Sequence, residues 1–253
     1  MHLEQQIELW RQEEAIARIH GWDFSHLDGR CVEDSLPWSY YACIQAVREP
    51  WMRLLDIDTG GGEFLLSLGH PPRLTAATEG YPPNLQLCRE TLWPLGIDVR
   101  KADAEKALPF PDGRFDLVIN RHGSFHPGEI GRVLAPGGRF VTQQVGAEND
   151  RALVQLLLPG TPPPFPEQYA APVAARFAAA GFEILRCEEV FRPIRFYYVG
   201  ALVWFARIIE WEFPGFSVDR CLPQLLRARA ILAERGCIEA KIHRFLLEAR
   251  KPE

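Results

Sequence analysis

Leu54-Leu55-Asp56-Ile57-Asp58-Thr59-Gly60-Gly61-Gly62-Glu63 joins a short apolar run to a glycine cluster and then to a helix-compatible start, Glu63-Phe64-Leu65-Leu66. Residues 53–57 read as a strand. Glycine has no Cβ and tolerates positive φ, so Gly60 and Gly62 let the chain turn sharply and let backbone approach a ligand. A strand, a glycine turn and a helix in that order make up the first unit of an open parallel sheet that binds nucleosides at its carboxyl edge.

The pattern continues downstream. Residues 74–78 form a second strand candidate, followed by a helix over 84–95 that Gly96 ends. Residues 97–102 read as a third strand and 115–120 as a fourth, after the turn Pro111-Asp112-Gly113. A short helix over 129–134 meets Pro136-Gly137-Gly138, and 139–143 is a fifth strand. After the proline-rich loop 159–166 come a helix over 168–180 capped by Gly181, a strand over 182–190, helices over 199–211 and 220–235, and a last strand over 241–249. Upstream lie a polar helix over 3–20 with Gly21 at its end, an aromatic irregular stretch, and a helix over 39–49 stopped by Pro50. Strands spaced by helices imply an α/β fold with a largely parallel sheet covered on both faces.

A nucleoside on such a sheet needs an acid at the end of the second strand for the ribose hydroxyls and a polar group after the third for the base. Glu79 stands twenty-one residues after Asp58, near the usual spacing of the ribose acid. Asp103 follows the third strand, with Ala104 beside it. A dinucleotide would require G-x-G-x-x-G, and from Gly60 and Gly62 the third position is Leu65, too bulky for close helix–sheet packing. No G-x-x-x-x-G-K-[ST] occurs, so a P-loop is excluded.

In these residues the chain resembles the class I (Rossmann-like) S-adenosylmethionine-dependent methyltransferases, of the methyltransferase type 11 group. Residues 54–62 are similar to that family's L-L-D-x-G-x-G-x-G. Ala102-Asp103-Ala104-Glu105 with Leu108-Pro109-Phe110-Pro111-Asp112-Gly113-Arg114-Phe115-Asp116-Leu117-Val118 resembles its A-D-A-x-x-L-P-F-P-D-x-x-F-D-L-V. Arg132-Val133-Leu134-Ala135-Pro136-Gly137-Gly138-Arg139-Phe140 resembles its R-V-L-x-P-G-G-x-F. The likeness runs from about residue 53 to 145.

The resemblance implies a doubly wound, seven-stranded, mostly parallel sheet with its last strand antiparallel. It also implies S-adenosylmethionine as cofactor and a small molecule as methyl acceptor at an O, N or C nucleophile. Residues 1–50 are then an N-terminal helical cap and 51–253 the methyltransferase domain, with a helical insertion over about 193–236, both covering the active edge. The candidate cofactor-contacting residues are Asp56, Asp58, Gly60, Gly62, Glu79, Gly80, Asp103, Ala104 and Asn120. No metal ligand set is expected. One departure stands out: the first glycine of the family's turn is Asp58 here. Aspartate tolerates left-handed backbone better than most residues. Its charge either pairs with the cofactor's amino group or repels its carboxylate.

Asn120-Arg121-His122 and His126 follow the fourth strand, where the methyl-accepting atom belongs. His122 and His126 are candidate general bases, with helix capping or lining of the cofactor's methionine end as the alternative. Trp22, Trp38, Tyr40 and Tyr41 either close over a sulfonium cation or pack as core. Trp204, Phe205, Ile208, Trp211 and Phe213 either wall an apolar acceptor pocket or pack against the sheet. Gln143 and Gln144 end the fifth strand, where their amides can orient an acceptor.

The 253 residues carry a formal net charge of -5, against the basic field that a phosphate-gripping protein needs. Residues 1–150 hold 14 Lys+Arg against 22 Asp+Glu, and 151–253 hold 14 against 11, a weak asymmetry that reads as solvated surface. An RNA methyltransferase is further disfavoured by the absence of N-P-P-[YF] after the fourth strand. A non-catalytic cofactor-binding protein is the other rival, kept open by Asp58. The six scattered cysteines contain no C-x-x-C, the chain opens on polar residues, and residues 199–211 are too short and charged to span a bilayer, so a reducing cytoplasm is expected.

Overall fold

The computed structural model describes residues 2–19 and 23–253. Gly21 and Trp22, an expected helix cap and an expected lid aromatic, lie outside the described residues. The chain divides into two compact units.

The larger unit comprises residues 37–146, 168–189 and 244–253. It opens with α2 (Tyr40–Val47) and continues through β2 (Leu54–Ile57), α3 (Glu63–Ser67), β3 (Thr75–Glu79), α4 (Pro82–Thr91) and β4 (Asp98–Lys101). Next come β5 (Phe115–Arg121), α5 (Pro127–Val133), β6 (Leu134–Val145) and α7 (Ala170–Ala179), then parts of β7 (Glu183–Phe196) and β8 (Ile238–Arg250). Strands β6-β5-β2-β3-β4 are neighbours in that order and parallel throughout. β8 runs antiparallel to β6, from Arg139 opposite Arg250 to Val145 opposite Arg244, and β7 lies beyond β8. This is the expected α/β sheet with its last strand antiparallel.

Central strands of such a sheet are buried on both faces, so they read as continuous apolar runs. All four residues of β2 are buried, as is nearly all of β5. The core packs by aromatic contact. Phe140 of β6 stacks on Phe177 of α7 with ring centroids 5.0 Å apart, and Phe125 meets both rings at 5.6 Å. Fully burying each such ring contributes on the order of 2–3 kcal/mol. Ser39 caps α2 by accepting from the Ala42 N–H at 3.2 Å. Ser39→Ala should cost about 1 kcal/mol, read as a fall of roughly 2–4 °C in a thermal melt.

Two of the resembling motifs are tied to each other by Arg132. Its guanidinium donates to the Phe110 carbonyl at 2.7 Å and the Leu108 carbonyl at 2.9 Å, and pairs with Asp112 and Glu129. The L-P-F-P-D and R-V-L segments are therefore braced against each other through one half-buried arginine.

The second unit comprises residues up to 36, 147–167 and 190–243. It contains α1 (Leu3–Ile16), β1 (Cys31–Glu33), α6 (Arg151–Leu157), α8 (Val199–Ile208) and α9 (Leu222–Arg235). α8 is apolar around its circumference except at Arg207 in its last turn, and residues 199–206 are buried accordingly. Trp204, Phe205 and Phe213 belong to this unit's own core, while Trp211 is exposed.

The sheet has eight strands where seven are expected. The extra one is β1, three residues paired antiparallel with the far end of β7, from Cys31 opposite Phe196 to Glu33 opposite Ile194. Three residues carry no readable alternation, and only the partner strand makes them a strand. β7 accordingly runs to Phe196 rather than 190. β6 begins at Leu134 rather than 139, because Leu134 pairs with Phe115 across a register irregularity in β5. α6 has no counterpart in the sequence pattern; Leu153, Val154 and Leu157 bury its inner face. Among the described residues no helix is long and apolar enough to cross a membrane.

Candidate active site

The turn after β2 has the backbone that the glycines were expected to supply. Gly60 lies at φ +67 and Gly62 at φ +85; a Cβ on Gly62 would stand 2.7 Å from Leu92. Asp58, where the resembling family has glycine, also lies in the left-handed region at φ +53. The turn survives the substitution, and the Asp58 side chain becomes part of the fold, because its Oδ2 accepts from the Ser124 N–H at 3.1 Å. It thereby joins the loop after β2 to the loop after β5.

Glu79, the last residue of β3, is buried at 5% exposure. Its carboxylate accepts from the Gly60 N–H at 2.8 Å and from the Tyr81 N–H at 2.7 Å. Gly80 follows with its Cα against the Ala102 carbonyl, where a Cβ would lie 2.8 Å from that oxygen. Asp56 is buried within β2 and accepts from the Thr59 hydroxyl at 2.6 Å. Cys88 of α4 donates its thiol to the Gly60 carbonyl at 3.0 Å.

Three carboxylates therefore converge on one turn. Burial pushes Asp56 up to about 7, opposed by the Thr59 hydrogen bond. Burial also pushes Asp58 up to about 7, and repulsion from Glu79 adds to it. A site that resists ionisation for want of positive charge suits a cationic ligand.

Asp103 and Ala104 sit after β4. Asp103 is exposed, paired with Lys106 at 2.9 Å and held below the usual carboxylate range first by that hydrogen bond; Ala104 is buried. Asn120, fully buried near the end of β5, has its amide wholly engaged within the fold. Nδ2 donates to the Ile57 carbonyl at 2.9 Å and to the Ser124 carbonyl at 3.3 Å. Its Oδ1 accepts from Thr142 and Gln144. Asn120 thus reaches the turn indirectly, by fixing the ends of both loops.

The two histidines divide. His126 is the N-cap of α5, its Nδ1 accepting from the Glu129 N–H at 3.3 Å. His122 lies at φ +62, its ring Nε2 3.0 Å from Gln143 Nε2. Water reaches His122, yet surrounding protein and the guanidinium groups of Arg244 and Arg121 hold its pKa well below the ordinary imidazole value.

Among the aromatics, Tyr40 is a core tie. Its hydroxyl shares its one proton between the Asn120 and Val141 carbonyls and accepts from the Asn120 N–H, and its ring stacks on Phe64. Trp38 is buried and donates from Nε1 to Gln143 Oε1 at 2.9 Å. Tyr41 is exposed. Ser124 and the Tyr40–Asn120 tie had no sequence signal, because contacts across many residues leave no periodicity.

Residues 55–142 match the family model described as a methyltransferase domain. A demethylmenaquinone methyltransferase of Thermus thermophilus is 38% identical over 116 residues, covering 42% of this chain and 53% of that protein. A phthiotriol/phenolphthiotriol dimycocerosates methyltransferase of Mycobacterium tuberculosis is 33% identical over 110 residues, covering 41% of this chain and 40% of that protein. The chain thus spans about half the length of the curated relatives it matches. In fold it is similar to the crystal structure of a candidate methyltransferase from Bacillus halodurans. The TM-score is 0.60 at 18% identity, over 84% of this chain and 99% of that one. With the glycine turn after β2, the acid closing β3 and the antiparallel β8 beside β6, residues 55–142 are similar to a methyltransferase domain in sequence and in fold.

Proposed function

We propose that the chain transfers a methyl group from S-adenosylmethionine to an O, N or C nucleophile of a small molecule. The observation that carries this reading is the pairing of Glu79 with the Gly60 N–H across the turn after β2. An ionised carboxylate offers about four lone-pair sites. Two are taken by the Gly60 and Tyr81 N–H groups, which leaves capacity for a ribose diol.

The bound cofactor supplies an electrophilic methyl on a sulfonium, so the chain's residues mainly position the reactants rather than activate a bond. Glu79 holds the ribose, Asp103 and Ala104 flank the adenine, and Gly60, Gly62 and Gly80 allow backbone approach. Asp56 and Asp58 supply negative charge to the cationic end, and Asn120 fixes the loops around it. Of the two histidines offered as bases, His126 is already occupied as a helix cap. The relatives named for demethylmenaquinone and for dimycocerosates support a small-molecule acceptor, and the net charge of -5 supports the exclusion of nucleic acid.

Calorimetric titration with S-adenosylmethionine and S-adenosylhomocysteine tests the reading: both should bind. Absence of heat with either ligand would sink it. Binding of both with no labelled methyl passed to any acceptor would favour a second reading, cofactor binding without transfer. The charge at Asp58, where the family has glycine, keeps that second reading in view.

A further inference from the structure

His122, Gln143 and Trp38 form a hydrogen-bonded chain whose polarity can be deduced. An indole N–H only donates, so the Gln143 atom facing Trp38 at 2.9 Å must be its oxygen. The Gln143 amide nitrogen then faces His122 Nε2 at 3.0 Å. An amide nitrogen also only donates, so His122 Nε2 must present a lone pair. A neutral imidazole with a lone pair on Nε2 carries its proton on Nδ1.

An imidazolium would aim N–H at N–H, which this arrangement opposes. The charges facing the ring act in the same direction: Arg121 and Arg244 both disfavour a second proton. The backbone is fixed as well, since the His122 N–H donates to the Gln143 carbonyl at 2.9 Å. Nδ1 has no hydrogen-bond partner among the described residues. The next residue in the chain is Gly123, where a Cβ would stand 2.6 Å from Asp58 Cβ, so the His122 backbone adjoins the turn after β2.

We propose that His122 binds the methyl acceptor as a hydrogen-bond donor, through Nδ1–H to a phenolic or carbonyl oxygen, with Gln143 and Trp38 as positioning residues that lock its tautomer. This rests on the methyl-transfer reading above. It assigns His122 a role other than a base: when the acceptor gains a methyl and loses a proton, that proton leaves to water and the His122 proton stays on Nδ1.

The test uses the full chain with labelled histidine and bound S-adenosylhomocysteine, and 1-naphthol as the phenolic probe. Nitrogen-15 correlation spectra should show His122 as the neutral Nδ1–H form from pH 5 to 8. Its Nδ1–H signal should shift on adding 1-naphthol. Asn and Asp both tolerate the left-handed backbone at this position. Asn offers an N–H donor where Asp offers only an acceptor. His122→Asn should hold 1-naphthol within about threefold of the unaltered chain, and His122→Asp should bind it about tenfold more weakly. A proton on Nε2, no shift with 1-naphthol, equal losses in the two variants, or better binding by the Asp variant would each overturn the proposal. Failure of the cofactor reading shows separately, as absence of heat with S-adenosylhomocysteine while the tautomer is unchanged.

Discussion

Glu79→Ala is expected to weaken binding of S-adenosylhomocysteine by about a hundredfold or more, the larger of two effects centred on the turn after β2. A hydrogen bond to a charged group contributes about 1.5–3 kcal/mol, and a carboxylate holding both ribose hydroxyls makes two of them. The substitution also strips the Gly60 and Tyr81 N–H groups of their acceptor, which loosens the turn itself. Glu79→Gln separates the two contributions. Its remaining amide oxygen can still accept from Gly60 N–H, so it should keep the melting temperature closer to that of the unaltered chain while still losing affinity. Calorimetry with the thermal melt of each variant as a folding control reads the result. Unchanged affinity in Glu79→Ala would remove Glu79 from the cofactor site.

The second large effect is on pH. Asp56 and Asp58 both have folded-state pKa values near 7, raised from 3.8 first by burial. Between about pH 4 and 7 the unfolded chain has released these protons and the folded chain retains them. Stability therefore falls as pH rises through that window and levels off above it. A shift of this size corresponds to on the order of 4 kcal/mol for a group that ionises without compensation. A cation bound at the turn compensates, so affinity for S-adenosylmethionine should rise through the same window, with proton release on binding. S-adenosylhomocysteine lacks the sulfonium charge and should show a shallower rise. Asp58→Asn keeps an acceptor for the Ser124 N–H and tolerates the positive φ. It should stabilise the unliganded protein at pH 8 by on the order of 2 kcal/mol, a rise of roughly 4–8 °C in melting temperature. It should also flatten the pH dependence of cofactor binding. Calorimetry in buffers of different ionisation enthalpy counts the protons; a pH-independent affinity in the unaltered chain would contradict the charge-compensation account.

Much of the larger unit was legible in its sequence for one physical reason: its determinants are local. A buried parallel strand must be an apolar run, a sharp turn must carry glycine, and a helix must end where glycine adopts the left-handed region. Residues 54–57, Gly60, Gly62 and Gly96 therefore announce the sheet directly. Glu79 was legible because strand, helix and strand have characteristic lengths, which fix how far along the chain the closing acid must fall.

The rest depended on partners far apart in sequence. Three residues, Cys31–Glu33, become β1 only because the far end of β7 offers an unpaired edge. The R-V-L and L-P-F-P-D motifs read along the chain only as two separate points of family resemblance, and Arg132 shows them bracing each other. Tyr40 and Trp38 read equally as lid or core, and hydrogen bonds to residues 80 to 105 positions away decided for the interior.

The sequence by itself determined the sheet and the turn after β2, because each rests on short-range backbone and packing rules. Only the tertiary structure decided what the polar side chains around the turn do. Asp58 proved able to hold the backbone of a glycine while tying two loops together. Asn120 turned inward, His126 became a helix cap, and His122 was left with its lone pair facing Gln143. Each of those outcomes depends on which donor meets which acceptor in three dimensions, and that pairing is set by the folded chain rather than by spacing along it.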